Sequence, residues 1–321
     1  MLATRLLVRP RRPVATYSIV ARDADTGQLG VAVQSHWFNV GAVVPWAEAG
    51  IGAVATQSLA DPSYGPLGLE LMRAGHGAPE VLARLLAADD GRAVRQVAMV
   101  DARGRAAVHT GERCIGDAGH VVDEELGVSC QANLMSTATV WGAMLSSYKA
   151  SLDAGSDLAE RLMGALEAAE AEGGDLRGKQ SAALVVVEGE RTDRPWSGRL
   201  FDVRVEDHPD PLVELRRLVT LQRAYRHMNN GDAAIESERP DEAVDEYGEA
   251  IALAPDVVEV RFWAGISLAT VGRHDAALRI LRDVFDREPF WRDLLPKLVV
   301  SRLMPADDAE AILAATDGVA S

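Results

Sequence analysis

Few side chains in this sequence have a type and spacing that could do chemistry. Seven histidines, His36, His76, His109, His120, His208, His227 and His274, are scattered, with no pair spaced to put two ligands on one helix face. No Walker phosphate loop, dinucleotide-binding glycine fingerprint after a first strand, His-Glu-x-x-His pair or Gly-x-Ser-x-Gly elbow occurs. No metal and no cofactor is therefore expected. The two cysteines, Cys114 and Cys130, are too few for a disulfide framework in 321 residues and lack paired zinc spacing, which fits a reducing cytosol. Cys130, among apolar neighbours, reads as a buried small hydrophobe. Two polar segments remain. Thr16-Tyr17-Ser18 opens a β-favouring run, and a hairpin leads back through Ala32-Val33-Gln34-Ser35. Gly173 to Ser181 gathers Asp175, Arg177 and Lys179 into a turn that feeds a strand. Loops over a rigid sheet are where sites tend to be built, although such a segment also reads as a plain solvated connection.

The elements that must position these residues follow from pattern. Tyr17–Arg22 and Leu29–Val33 flank the turn Asp23–Gly27 as a hairpin. Val43-Val44 and Gly52–Gln57 read as further strand, and Pro66–Arg73 and Pro79–Ala88 as helices with proline in the first turn. Gln96–Asp101 and Arg105–Thr110 form a second hairpin, and Gly127–Asn133 another strand. Helices are predicted over Thr137–Ala154 and Ser156–Glu172, then strands over Ser181–Val187 and Leu200–Val205. Runs of strands separated by helix pairs favour an α+β fold with antiparallel sheet.

Beyond the polar, proline-bounded stretch 206–212, only helical periodicity appears. The expected organisation is a leader over 1–15, an α+β domain over 16–205, a linker over 206–212 and a helical domain over 213–321. Asp241, Ala243 and Pro255 recur as Asp275, Ala277 and Pro289, each 34 residues on, so the helical part looks like tetratricopeptide repeats. Helices are placed at Ala224–Gly231, Asp241–Leu253, Val258–Val271 and Asp275–Phe285. Stacked pairs of this kind present a groove that binds a peptide or helix.

Composition narrows the function classes. Hydrophobic residues at 48% and charged residues at 25% fit a folded globular chain, with no apolar run of membrane-spanning length. A net charge of -15 repels polyphosphate backbones and argues against nucleic acid as partner. The first fifteen residues carry Arg5, Arg9, Arg11 and Arg12 without an acid, and Leu6-Leu7-Val8 is too short for a secretory signal. This leader is read as a disordered extension, a cleaved propeptide or a start placed too far upstream, and the expected location is cytoplasmic.

Seven segments, TYSIVARDADTGQLGVAV, VVPWAEAGIGAVATQS, DPSYGPLGLELMRAG, RQVAMVDARG, SCQANLM, GGDLRGKQSAALVVV and DHPDP, together resemble the domain-of-unknown-function family 1028. The resemblance runs from about Ala15 to about Tyr225 and implies membership of the N-terminal nucleophile hydrolase superfamily, with a four-layer αββα sandwich. It implies that Thr16 is a nucleophile whose own α-amino group, titrating near pH 8, is the general base. Thr16 then acts only in a chain cut or begun immediately before it. The matched motifs further imply Asn133 as an amide donor to an oxyanion. The family tends to have glycine before this Asn, where this chain has Ala132, a strain if the backbone there needs positive φ. Ser35, His36, Gln57 and Tyr64 follow strand ends and are expected to line the same cleft, with Asp175, Arg177 and Lys179 orienting a polar substrate or the terminal amine.

The leading expectation is an amidohydrolase acting on a small amide or peptide-like bond. The rival is a catalytically silent interaction protein that binds a partner through residues 213–321, and a third reading is small-ligand binding without turnover. The superfamily often assembles through its helical layers, so a homo-oligomer is among the expected forms.

Overall fold

The computed structural model describes residues 16–194 and 197–316, and the expected leader over 1–15 lies outside the described residues. The chain divides into two compact units, one through Arg217 and one from Leu218.

The first unit is mixed α+β with two antiparallel sheets. β1 (Thr16–Arg22), β2 (Leu29–Ser35), β7 (Gly119–Asp123), β8 (Val128–Asn133), β9 (Ser181–Val187) and β10 (Arg199–Val205) form one sheet in the order β10-β9-β2-β1-β8-β7. β3 (Pro45–Glu48), β4 (Gly52–Ser58), β5 (Arg95–Asp101) and β6 (Ala106–Thr110) form the other in sequence order. Successive side chains of a strand point to opposite faces, and the sequence uses both. Val20, Val31, Val33, Ala183 and Val185 pack with Ala53, Ala55, Ala98 and Val100 between the sheets. On its other face the smaller sheet presents Val54, Val97 and Met99 to Tyr64, Leu69 and Met72 of α1 (Tyr64–Arg73) and to Val81 and Leu82 of α2 (Ala78–Ala88). The larger sheet is covered by α3 (Val140–Asp153), against β8, and α4 (Leu158–Ala171), against β1 and β2. Gly30 permits this close approach, because a Cβ there would lie 2.6 Å from a Leu162 methyl. Each fully buried valine or leucine contributes roughly 1.5–3 kcal/mol, so these faces hold the strands in register.

Four elements differ from the pattern-based expectation, one of them the helix expected over Ala224–Gly231, which is part of a single helix running Pro211–Glu236 because the helical pattern continues on both sides of it. Val43 and Val44 are not strand, because their amides both bond the Val40 carbonyl and close a 3-10 turn over Val40–Ala42, so β3 starts at Pro45. β7 was not expected, its sequence Gly-His-Val-Val-Asp being short and polar at one end. The stretch 206–212 does not run free. Asn39 N–H donates to the Glu206 carbonyl, His208 N–H to the Gln180 carbonyl, and Lys179 pairs with Asp210 at 2.6 Å. α5 (Pro211–Glu236) then starts at once, with Leu212 and Leu215 buried and Arg216 bridging Glu160 and Glu167 of α4.

The second unit is helical. After α5 come α6 (Pro240–Leu253), α7 (Val258–Thr270), α8 (His274–Arg287), a 3-10 segment over Pro289–Leu294, α9 (Leu295–Val300) and α10 (Ala306–Thr316). Tyr247, Phe262, Leu281 and Phe285 lie in its core, where Ala243 and Ala277 are both fully buried. Among the described residues no helix is long and apolar enough to cross a membrane.

Candidate functional site

The space between the sheets changes character along its length. On the inward face, β2 runs Leu29, Val31, Val33 and then Ser35, and β9 runs Val187, Val185, Ala183 and then Ser181. β4 passes from Ala53 and Ala55 to Gln57, and β5 from Val100 and Ala98 to Gln96. β1 passes from Val20 through Ser18 to Thr16, while β8 presents Ser129, Gln131 and Asn133. All of these polar residues are fully buried. Register brings them to one end: Thr16 pairs Ser35 on one side and Asn133 on the other, and Ser35 pairs Ser181.

Burying an amide without a hydrogen-bond partner costs free energy, and here the amides bond one another. Thr16 Oγ1 donates to Ser35 Oγ at 3.2 Å. Gln57 Nε2 reaches the Thr16 carbonyl at 3.2 Å and Gln96 Oε1 at 2.7 Å, and Gln57 Oε1 accepts from Ser18 Oγ at 2.7 Å. Asn133 Nδ2 donates to Gln96 Oε1 at 3.0 Å, with a longer 3.5 Å contact to the Thr16 carbonyl. Gln96 Nε2 in turn bonds the Ala132 carbonyl at 2.9 Å and Thr110 Oγ1 at 2.9 Å. Asn133 Oδ1 is buried and finds no donor among the described residues. Ala132 lies within β8 opposite Tyr17 and Gly119, an extended backbone that alanine adopts without strain; the left-handed residue is Leu134, at φ 57.

Just outside the strand ends the 175–180 loop closes on Ser35. Gln180 N–H donates to the Ser35 carbonyl, and the buried Asp175 accepts from His36 N–H at 3.1 Å and from Arg177 Nη2 at 2.9 Å. Lys179 pairs with Asp210 at 2.6 Å and approaches Glu170 at 3.8 Å, and Glu170 accepts from Tyr17 Oη at 2.8 Å. Burial, reinforced by Glu170, pushes the Tyr17 phenol well above its ordinary value. Cys130 is buried on β8, and desolvation raises its thiol far out of the reactive range.

Of the residues singled out by sequence, Thr16, Ser35, Gln57 and Asn133 share one hydrogen-bonded cluster. Asp175, His36 and Arg177 form an adjoining one, and Lys179 is tied into the Tyr17–Glu170 chain. Tyr64 stands apart. Its ring packs under the outer face of the smaller sheet and its hydroxyl donates to Asp89 at 3.0 Å, so the helix that follows a strand carries it away from the inward face. Ser18, Gln96, Gln131 and Ser129 were not expected. The available signal was a polar side chain at an inward period-two position, such as Gln96 before Ala98 and Val100. Among the described residues no three histidine, cysteine or acidic side chains converge to hold a metal ion.

Two antiparallel sheets with a buried polar end define an α+β class of protein rather than a reaction. The family model described as a family of unknown function, DUF1028, matches residues 16–215, and the chain belongs to that family. The crystal structure of protein SPO2555 from Silicibacter pomeroyi, of the same family, is similar at 31% identity with a TM-score of 0.54, covering 64% of this chain and 84% of that one. No curated protein matches the sequence.

Proposed function

We propose that the first unit is a four-layer αββα sandwich of the N-terminal nucleophile hydrolase kind, and that Thr16, once freed at its amino end, cleaves a small amide or peptide-like bond. The observation that carries this reading is Thr16 at the head of an interior strand, flanked in register by Ser35 and Asn133 where the inter-sheet space turns from apolar to polar.

The chemistry follows from those positions. With the Ala15–Thr16 bond broken, the α-amine takes the Oγ1 proton as the oxygen attacks the substrate carbonyl. Asn133 Nδ2 donates to the oxyanion by giving up its long contact to the Thr16 carbonyl while Gln96 Oε1 holds the amide in place. The proton passes to the departing amine, leaving an acyl ester on Thr16 that water then hydrolyses. Ser35 positions Oγ1, Gln57 holds the Thr16 backbone, and His36, Asp175, Arg177 and Lys179 supply polar contacts at the rim. The test is hydrolysis of a panel of acyl-amino acids and cyclic amides by wild type and Thr16→Ala. Turnover lost in the variant supports the assignment, and equal rates end it.

A second reading concerns the helical unit as a tetratricopeptide-like partner-binding module. Its support is that Ala243 and Ala277, 34 residues apart, occupy equivalent buried places in α6 and α8. Capture of a partner by the full chain, lost on deleting residues 218–321, supports it, and capture unchanged by the deletion refutes it.

A further inference from the structure

The two sheets differ in width. β3, the edge of the smaller sheet, lies over β2 and β9, which leaves β10 at the rim of the larger one. At that rim the inward face becomes charged. Arg199, Asp202 and Arg204 pair in register with Val187, Val185 and Ala183, whose side chains belong to the inter-sheet core, so the three charged residues share that face. A cavity of about 370 Å³ opens here, bounded by Trp46, Ala47 and Glu48 of β3, by Val185 and Val187 of β9, and by Arg199 and Arg204.

The walls are of two kinds. Trp46 is held rigidly: its Nε1 donates to the Val43 carbonyl at 3.0 Å, and its ring lies so close to α1 that a Cβ on Gly65 would come within 2.3 Å of it. Trp46 and Leu69, from the cluster packed on α1, and Ala47, Val185 and Val187, from the inter-sheet cluster, make up the cavity's apolar lining. On the neighbouring strand, beside Val185 and Val187, one carboxylate serves two guanidiniums, since Asp202 accepts from both Arg199 and Arg204. Glu48 is neutralised by Arg73. Three cations against two anions leave the cleft with one net positive charge in a chain of net charge -15. A guanidinium offers five donors in a planar fork matched to a carboxylate, and one surplus charge balances a monoanion, not a dianion. A cavity of this size, with apolar side chains and a few convergent polar groups in its lining, suits a small organic ligand.

We propose that this cleft binds a small carboxylate with an apolar body, its acid group on Arg199 and Arg204 and its body against Trp46. The site is separate from Thr16: Val185 and Val187 lie four and six residues along β9 from Ser181, about 13–20 Å at about 3.3 Å per residue.

Calorimetric titration of the full chain with phenylacetate, 2-phenylethanol and phenyl phosphate tests it. The expected result is saturable 1:1 binding of phenylacetate, at least tenfold tighter than the alcohol or the phosphate ester. Binding should weaken about tenfold or more in Arg204→Gln and in Ala42→Trp, and should be unchanged in Thr16→Ala. Ala42 is exposed at the mouth, so its variant blocks the cleft without altering charge or core and serves if Arg204→Gln does not fold. Absence of saturable binding, equal binding of the alcohol, tighter binding of the phosphate ester, or undiminished binding in the folded variants would overturn the proposal. Loss in Thr16→Ala would assign the binding to the other site and equally overturn it.

Discussion

The two ends of the inter-sheet space are equally buried and oppositely made. At one end Leu29, Val31, Val100 and Val187 meet through dispersion and loss of water; at the other Thr16, Ser35, Gln57, Gln96 and Asn133 meet through hydrogen bonds. β1, β2, β4, β5 and β9 build both, with the change falling between successive inward residues on each, whereas β8 presents Ser129, Gln131 and Asn133 and is polar throughout. Stability does not require this, because valines continued along the strands would pack as well, and polar groups gain little net free energy on burial when satisfied. Under the proposed function the polar end is the place kept for chemistry, supported by an apolar end that fixes the strands.

That contrast can be broken by substitution. The largest effect on stability is expected from Gln96→Leu, which removes the acceptor of Asn133 Nδ2 and Gln57 Nε2 and the donor to the Ala132 carbonyl. Several buried groups lose partners at once, so urea denaturation should show a loss of about 3 kcal/mol or more. Val100→Ala, at the apolar end, should cost about 2 kcal/mol from lost methyl burial and the residual cavity. A valine loss exceeding that of Gln96 would mean that the polar end is loosely held. Ser18→Ala should cost about 1 kcal/mol, leaving Gln57 Oε1 and Gln131 Nε2 each one partner short.

The smallest effect is in pH. His120 Nδ1 lies 2.8 Å from Thr110 Oγ1, which Gln96 Nε2 also contacts, so this histidine touches the rim of the polar network. Burial, and then the neighbouring His109, hold its pKa below the ordinary 6.5. Stability linked to the neutral imidazole is present above 6.5 and is lost as pH falls through the lowered folded value. Urea midpoints at pH 7.5 and 5 should fall more for wild type than for His120→Gln, and equal falls would remove His120 from the network.

Much of the fold was legible locally. Period-two runs marked the strands that carry Thr16, Gln57, Gln96 and Asn133, and proline in the first turn marked α1 and α2. What local pattern could not give was which strands meet across the sheets, so the buried roles of Ser18, Gln96 and Gln131 stayed hidden although their inward phase was visible. Tyr64 was placed by its nearness in sequence to β4, whereas the direction of α1 decides where its ring goes. The segment at 206–212 looked like a linker because proline and acid mark turns, yet its backbone bonds to the first unit are non-local.

The central claim concerns Thr16, and intact mass with amino-terminal sequencing of the purified protein tests it most directly. The account predicts a chain that begins at Thr16 in the preparation that turns over amides. A preparation that retains Ala15 has no free amine on Thr16, and amide turnover by such a chain would contradict it.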